Sequence, residues 1–173
     1  MGCGRQLAGL LILAATMVAS ARAFASPAIG RPAPALVVAT IDGGTFDLAA
    51  ERGHVVLVNF WATWCPPCRH EMPLIDAFAA RHRAEGLVVL GLSVDRRRDR
   101  REVIEAMRPF QYLAGLADGA GANGFGPPQA LPMTYLIDTG GVVRAVIVPG
   151  RGELTDEMLE TAMAPLLGST APQ

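Results

Sequence analysis

Two kinds of hydrophobic pattern dominate the middle of the chain. Near-continuous apolar runs at 54–61 and 87–94 are typical of central strands covered on both faces. Between them, segment 66–83 carries its apolar residues at helical spacing, and Gly86 follows it as a helix-ending residue. The pattern therefore predicts a buried strand, a helix and a second buried strand.

Weaker patterns extend this unit on both sides. Asp42-Gly43-Gly44 predicts a turn between two short strands, and Asp138-Thr139-Gly140-Gly141 predicts another. Residues 115–130 are rich in Gly, Ala and Pro, and we interpret them as a loop with at most one short helical turn. The predicted strands are 36–39, 45–48, 54–61, 87–94, 133–137 and 142–148, and the predicted helices are 66–83, 102–108 and 153–167.

The order of these elements, β-β-β-α-β-α-β-β-α, predicts one α/β domain with a mixed sheet flanked by helices. The length of 173 residues fits a single domain. An apolar content of 51% excludes a disordered chain, and a net charge of −1 gives no positive field for nucleic acid. We therefore expect no nucleic-acid partner.

The N-terminus has the pattern of a signal peptide over residues 1–25. Arg5 precedes an apolar stretch at 7–21 that is short for a bilayer core of about 30 Å, and Ala23-Phe24-Ala25 offers a cleavage site. An uncleaved anchor is the alternative, and both predict export to the periplasm. The predicted organisation is a signal peptide at 1–25, a Pro-rich lead-in at 26–34, a folded domain at 35–168 and a tail at 169–173.

Trp64-Cys65-Pro66-Pro67-Cys68 carries the candidate chemistry, since it follows a predicted buried strand and opens a predicted helix. At a helix N-terminus, free N–H groups and the helix dipole favour a thiolate, so Cys65 is the expected nucleophile. Cys68, three residues later and closer to the interior, can resolve a mixed disulfide. Pro66 and Pro67 fix the backbone between the two thiols.

Other uses of a CxxC pair fit less well. Covalent haem attachment requires a His after the second Cys, where this chain has Arg69. A structural zinc site requires four ligands, and an inert disulfide between Cys65 and Cys68 would close too small a loop to stabilise much. The chemistry expected of this pair is thiol–disulfide exchange, which needs no metal and no organic cofactor.

The chain resembles the TlpA/ResA branch of the exported thioredoxin-like proteins, close to the cytochrome c biogenesis thioredoxins. The resemblance covers residues 30–167 and implies a thioredoxin-like fold with an extra N-terminal β-hairpin. It is carried by Val58-Asn59-Phe60-Trp61-Ala62-Thr63-Trp64-Cys65-Pro66-Pro67-Cys68, by Glu71-Met72-Pro73 and by Leu131-Pro132-Met133-Thr134-Tyr135-Leu136-Ile137-Asp138.

The resemblance also implies roles for residues outside the cysteine pair. Pro132 matches the cis-proline that faces the CxxC motif, and Leu131 would present backbone groups to the partner. Pro66 and Pro67 occupy the variable positions that tune redox potential. Glu71 matches an acid near the buried thiol.

Glu71 is also indicated by its position, three residues after Cys68 and on the same helix face. A partly buried carboxylate with a raised pKa could accept the Cys68 proton. In ordinary thioredoxins the acid lies on the preceding strand, where this chain has Asn59, which cannot take up a proton. The alternative is that Glu71 is a solvated helix residue.

We therefore expect a periplasmic protein disulfide oxidoreductase. The resemblance implies that it reduces disulfides, in apocytochrome c or in metal-site cysteines, with electrons from a membrane thiol protein. A disulfide-inserting oxidant would use the same residues, and a copper-binding chaperone would use Cys65, Cys68 and His70. A thiol peroxidase would need Thr or Ser where the chain has Ala62.

Residues around the motif are assigned from burial and charge patterns. Trp61 is expected in the core, and Trp64 is expected as a partly exposed wall of the partner groove. His54 and His82 are expected at the surface or at a strand edge. The arginine-rich run Arg96–Arg101 is interpreted as a solvated helix start, with countercharges from Asp95, Asp99, Glu102 and Glu105.

Overall fold

A computed structural model of the chain describes residues 27–148, 150 and 153–167. The predicted signal peptide at 1–25 and the predicted tail at 169–173 lie outside the described residues. Within the described ranges, none of the helices has the length and apolar character needed to cross a membrane. In chain order, the elements are β1 (Leu36–Ala39), β2 (Thr45–Asp47), β3 (Val55–Trp61), α1 (Pro66–His82), β4 (Leu87–Ser93), α2 (Arg100–Met107), β5 (Leu113–Leu116), β6 (Ala122–Asn123), β7 (Met133–Ile137), β8 (Val143–Ile147) and α3 (Asp156–Leu167).

The larger sheet is mixed and has the strand order β5-β4-β3-β7-β8. Its central strand β3 runs parallel to β4 and antiparallel to β7. Every residue of β3 is buried, because alternate side chains enter hydrophobic clusters on opposite faces of the sheet. Leu57 and Trp61 enter one cluster, and Val58 and Phe60 enter the other. The predicted α/β class, with its mixed sheet, is confirmed.

A second, antiparallel sheet contains β2, β1 and β6 in that order. The hairpin of β1 and β2 confirms the expected N-terminal addition. The loop prediction for 115–130 is wrong in part, because β5 ends at Leu116 and β6 follows at Ala122–Asn123. Their local sequence is rich in Gly and Ala, and they become strands by pairing with distant β4 and β1.

Helix α1 starts where the chain leaves the central strand. Pro66 and Pro67 occupy its first positions, where a missing N–H costs no hydrogen bond. Its buried face includes Cys68, Ile75 and Phe78, as the helical spacing predicts. The helix is followed by a short 3₁₀ turn and by Gly86, whose φ of 85° is the left-handed conformation that glycine adopts readily.

His82, at the end of α1, is buried, so its predicted surface position is wrong. Its ring nitrogens lie 2.9 Å from carboxylate oxygens of Glu85 and Glu160, and its ring packs on Phe78 with centroids 4.5 Å apart. Glu160 lies on α3, and Arg81 also bonds to it, at 3.2 Å. Local sequence could not reveal this burial, since α3 is distant along the chain.

Candidate active site

Cys65 and Cys68 form a disulfide at the N-terminus of α1, with their Cα atoms 5.3 Å apart. Cys65 is the N-cap residue, and its sulfur accepts the Cys68 N–H at 3.3 Å. The relative exposure is 6% for Cys65 and 1% for Cys68. The helix N-terminus favours negative charge on the Cys65 sulfur, and a partner can approach that sulfur more easily than the sulfur of Cys68.

An apolar depression lies on one side of the disulfide. Trp64 is 68% exposed, whereas Trp61 is fully buried, as the sequence predicted for both. An exposed tryptophan beside a reactive sulfur is a suitable wall for an extended polypeptide. The depression is lined by Trp64, Cys65, Pro66, Val94, Pro127, Pro128, Ala130 and Leu131.

A second cleft, of about 410 Å³, lies beyond Pro67. Pro132 lines it, and the Leu131–Pro132 peptide bond is cis. Thr134, on the adjoining strand β7, accepts a 2.9 Å hydrogen bond from the Asn59 side chain. The remaining lining comprises His70, Glu71, Ile147, Val148, Gly150, Glu153 and Leu154.

Glu71 is partly buried in this cleft and belongs to the same helix as Cys68. Burial is the main cause that raises the pKa of the Glu71 carboxyl above its ordinary value of 4.5. The N–H of Leu154, which donates to Glu71 Oε1 at 3.4 Å, acts against this, and the charge of Glu153 adds to it. Among the described residues the balance of these causes favours the protonated form of Glu71.

A second carboxylate, Asp95, lies on the other flank of the motif, and its predicted role as a countercharge to the arginine run is wrong. The sequence suggested that Asp95 offsets the arginine run, but it is buried and bonded elsewhere. It accepts the Thr63 N–H at 2.9 Å, the Thr63 hydroxyl at 2.7 Å and the Ser93 hydroxyl at 2.7 Å. In the sequence, the only signal for this contact is that a polar residue, Thr63, stands two positions before Cys65. This signal is weak, because its partner Asp95 lies 32 residues away.

The arginine run itself is partly solvated and partly anchored. Arg100 donates to the Ile41 carbonyl at 2.9 Å, and the Arg97 N–H donates to Asp118 at 2.8 Å. Arg69 and His70, beside the cysteines, are exposed. Within the described ranges, no group of three or more His, Cys, Asp or Glu side chains is arranged to hold a metal ion.

Comparison with known proteins places these features in a family. Residues 29–146 match the AhpC/TSA family. The chain is 33% identical over 141 residues to the thiol-disulfide oxidoreductase ResA of Bacillus anthracis, covering 76% of this chain and 75% of that protein. It is 34% identical over 151 residues to the thiol:disulfide interchange protein DsbE of Yersinia pestis, covering 82% and 73%.

Solved structures show the same fold. A thiol:disulfide interchange protein DsbE from Chlorobium tepidum superposes with a TM-score of 0.70 at 24% identity, covering 83% of this chain and 100% of that chain. The chain therefore belongs to the AhpC/TSA family and is a thioredoxin-like thiol–disulfide oxidoreductase of the ResA and DsbE type.

Proposed function

We propose that the protein reduces disulfides of partner proteins in the periplasm, with Cys65 as the nucleophile and Cys68 as the resolving thiol. The observation that carries this proposal is the Cys65–Cys68 pair at the start of α1, with the more exposed sulfur at the helix N-cap. The resemblance to exported thioredoxin-like proteins and the signal-peptide pattern at 1–25 support the location.

The first step is attack by the Cys65 thiolate on one sulfur of the partner disulfide. The partner's S–S bond breaks, a mixed disulfide forms, and the partner's second sulfur leaves as a thiolate that takes up a proton. The dipole of α1 stabilises the attacking thiolate. Cys68 remains a protonated thiol, buried behind Pro66 and Pro67.

The second step is release of the partner by Cys68. Its thiol must first lose a proton, and Glu71 is the proposed acceptor. One helical turn separates the two residues, and burial, which raises the pKa of the Glu71 carboxyl above its ordinary value, makes its carboxylate a stronger proton acceptor than a solvated one. The Cys68 thiolate then attacks the Cys65 sulfur, the bond between Cys65 and the partner breaks, and the partner's sulfur leaves as a thiolate that takes up a proton. The partner has gained two electrons, and the two thiols have lost them in forming the Cys65–Cys68 disulfide.

The partner is proposed to bind as an extended segment over the cysteines. Trp64, Pro66 and Leu131 offer apolar contacts along the depression beside Cys65. Pro67 and Pro132 line the neighbouring cleft, and the backbone near Leu131 would bond to the partner's backbone. This arrangement recognises main chain and apolar side chains, so it suits proteins with locally unfolded cysteine segments.

Reduction is the proposed direction, by resemblance to the cytochrome c biogenesis thioredoxins. The proposed substrates are apocytochrome c or cysteines of a metal site, and a membrane-bound thiol protein would return electrons to the Cys65–Cys68 disulfide. The N-terminal segment would either be removed or remain as an anchor on the periplasmic side.

Separate cysteine variants test the assignment of roles. Cys65→Ser is expected to abolish turnover of insulin disulfides, because the nucleophile is lost. Cys68→Ser keeps the nucleophile and is expected to accumulate a covalent mixed disulfide, visible by mass spectrometry of non-reduced samples. Activity retained by Cys65→Ser, or a mixed disulfide trapped in it through Cys68, would contradict the scheme.

The direction is tested by the midpoint potential of the Cys65–Cys68 couple in residues 26–173, equilibrated in defined thiol buffers. A value near or below about −220 mV supports a reductant. A value near about −120 mV would identify the rival function, an oxidant that inserts disulfides into exported proteins.

A further inference from the structure

The carboxylate of Asp95 has no part in the scheme above, although it contacts the segment that carries the cysteines. It lies two residues beyond β4 and is 3% exposed. Three donors converge on it, namely the N–H and hydroxyl of Thr63 and the hydroxyl of Ser93, at 2.7 to 2.9 Å. The Asp95 N–H in turn donates to the Ser93 hydroxyl at 3.0 Å, which holds the carboxylate in place.

The short segment between β3 and α1, residues 62–65, and the first turn of α1 are closed by local bonds. The Cys65 N–H bonds to the Ala62 carbonyl at 3.2 Å, the Cys68 N–H bonds to the Cys65 sulfur, and Pro66 and Pro67 at the start of α1 have no N–H to donate. These bonds close the segment on itself, but they do not attach it to the sheet. The two bonds from Thr63 to Asp95 supply that attachment at the point just before Trp64.

Trp64 forms a ridge between two surface depressions. One is the apolar depression that includes Cys65 and Leu131, and the other includes Thr63, Arg69 and His70. Because Trp64 is 68% exposed, neighbouring side chains constrain it less than they constrain the buried Trp61. Its place over the groove therefore depends on the backbone at Thr63, which Asp95 holds.

We propose that Asp95 is a positioning residue for protein substrates, acting through Thr63 to keep Trp64 against the docked polypeptide. This inference rests on the proposed disulfide exchange at Cys65 and deepens it by separating two classes of substrate. Protein disulfides, which contact Trp64, depend on the Asp95–Thr63 contact. Small disulfides, which reach the Cys65 sulfur without covering Trp64, do not.

The decisive variant is Thr63→Val, which keeps the shape and the backbone N–H but removes the hydroxyl that donates to Asp95. Its KM for insulin disulfides is expected to rise about fivefold, because binding must then supply the cost of ordering Trp64 over the groove, with kcat little changed. Its kcat/KM for hydroxyethyl disulfide is expected to stay within twofold of the unmodified protein. Thr63→Ser, which restores a hydroxyl, is expected to recover most of the KM for insulin.

The fluorescence of Trp64 provides an independent readout. The chain has two tryptophans, and Trp61 is buried, so acrylamide quenching reports mainly on Trp64. Thr63→Val and Ser93→Ala are expected to change this quenching. Asp138→Asn is the matched control, because Asp138 accepts bonds from Val142 and Arg144 at the opposite end of β7 and should leave both readouts unchanged.

An unchanged KM for insulin in Thr63→Val and in Asp95→Asn would overturn the inference, as would an equal loss with both substrates. Failure of the proposed function is distinguishable, since the unmodified protein would then be inactive or Cys65→Ser would retain turnover.

Discussion

Two carboxylates flank the cysteine motif, and their surroundings differ sharply. Asp95 is buried, and hydroxyl and N–H donors at 2.7 to 2.9 Å satisfy it. Glu71 is half-buried, and within the part of the chain that the structure describes it receives one N–H, from Leu154, at 3.4 Å. Donors around a carboxylate hold it in one position, whereas burial with fewer donors raises the pKa of the carboxyl and favours its protonated form.

The two carboxylates on either side of the disulfide therefore suit different roles, one structural and one chemical. Asp95 is suited to hold backbone, since moving it would break several short bonds together. Glu71 is suited to accept a proton, since burial makes its ionised form costly. Substitution of Glu71 should therefore lower the rate of disulfide exchange. Substitution of Asp95 should lower the free energy of unfolding.

The largest expected effect is on the release step in Glu71→Gln. Loss of the proton acceptor should slow attack by Cys68 on a mixed disulfide about a hundredfold near neutral pH, the lower end of general-base contributions. Stopped-flow measurement of partner release between pH 4 and 9 tests this. An unchanged pH profile would contradict the assignment of Glu71 as the proton acceptor.

The matched control for this prediction is Glu153→Gln. Removing that charge leaves the acceptor in place but takes away one cause of the raised pKa of Glu71. The pH dependence of the rate of partner release should therefore shift to lower pH, while the maximum rate stays the same.

An intermediate effect is expected for the stability of Asp95→Ala. Thr63 and Ser93 would lose their acceptor in a buried place, at a cost of about 2–3 kcal/mol in the free energy of unfolding. Denaturant titration monitored by circular dichroism measures this. Glu71→Gln should change the free energy of unfolding much less. Equal losses of stability in the two variants would contradict the assignment of a structural role to Asp95 alone.

The smallest effect is the pH dependence of stability. Because the pKa of Glu71 is raised on folding, the folded state holds more protons than the unfolded state just above pH 4.5. Stability from this group therefore falls as pH rises through that window, and the loss is modest because the side chain is half-exposed. Glu71→Gln should gain stability relative to the unmodified protein as pH rises from 4 to 7.

Asp138→Asn provides a control in which the change of stability with pH has the opposite sign. Burial acts to raise the pKa of Asp138, but the Val142 N–H and Arg144 outweigh it and lower that pKa below 3.8. The stability contributed by Asp138 is present above pH 3.8 and is lost as pH falls below it. The same sign in both variants would contradict the assignment for Glu71.

The sequence was sufficient where the pattern is local. The apolar run of β3, the helical spacing of α1 and the position of the cysteines between them led to the fold and to the reacting sulfurs. It failed where the deciding partner is distant. Strand β6 forms by pairing with β1, Asp95 is defined by Thr63 across 32 residues, and His82 is buried by Glu160 across 78 residues.

The small sheet has a consequence for the wall of the groove. Strand β6 pairs with β1, and the Gly124 N–H donates to the Ala35 carbonyl at 2.8 Å, just before the chain turns to the prolines that line the Cys65 depression. The N-terminal hairpin thus supports the side of the groove formed by Pro127 and Pro128, which lie almost a hundred positions later in the chain. A fragment trimmed to begin at β3 would retain both sulfurs and lose the support of the surface on which a partner rests.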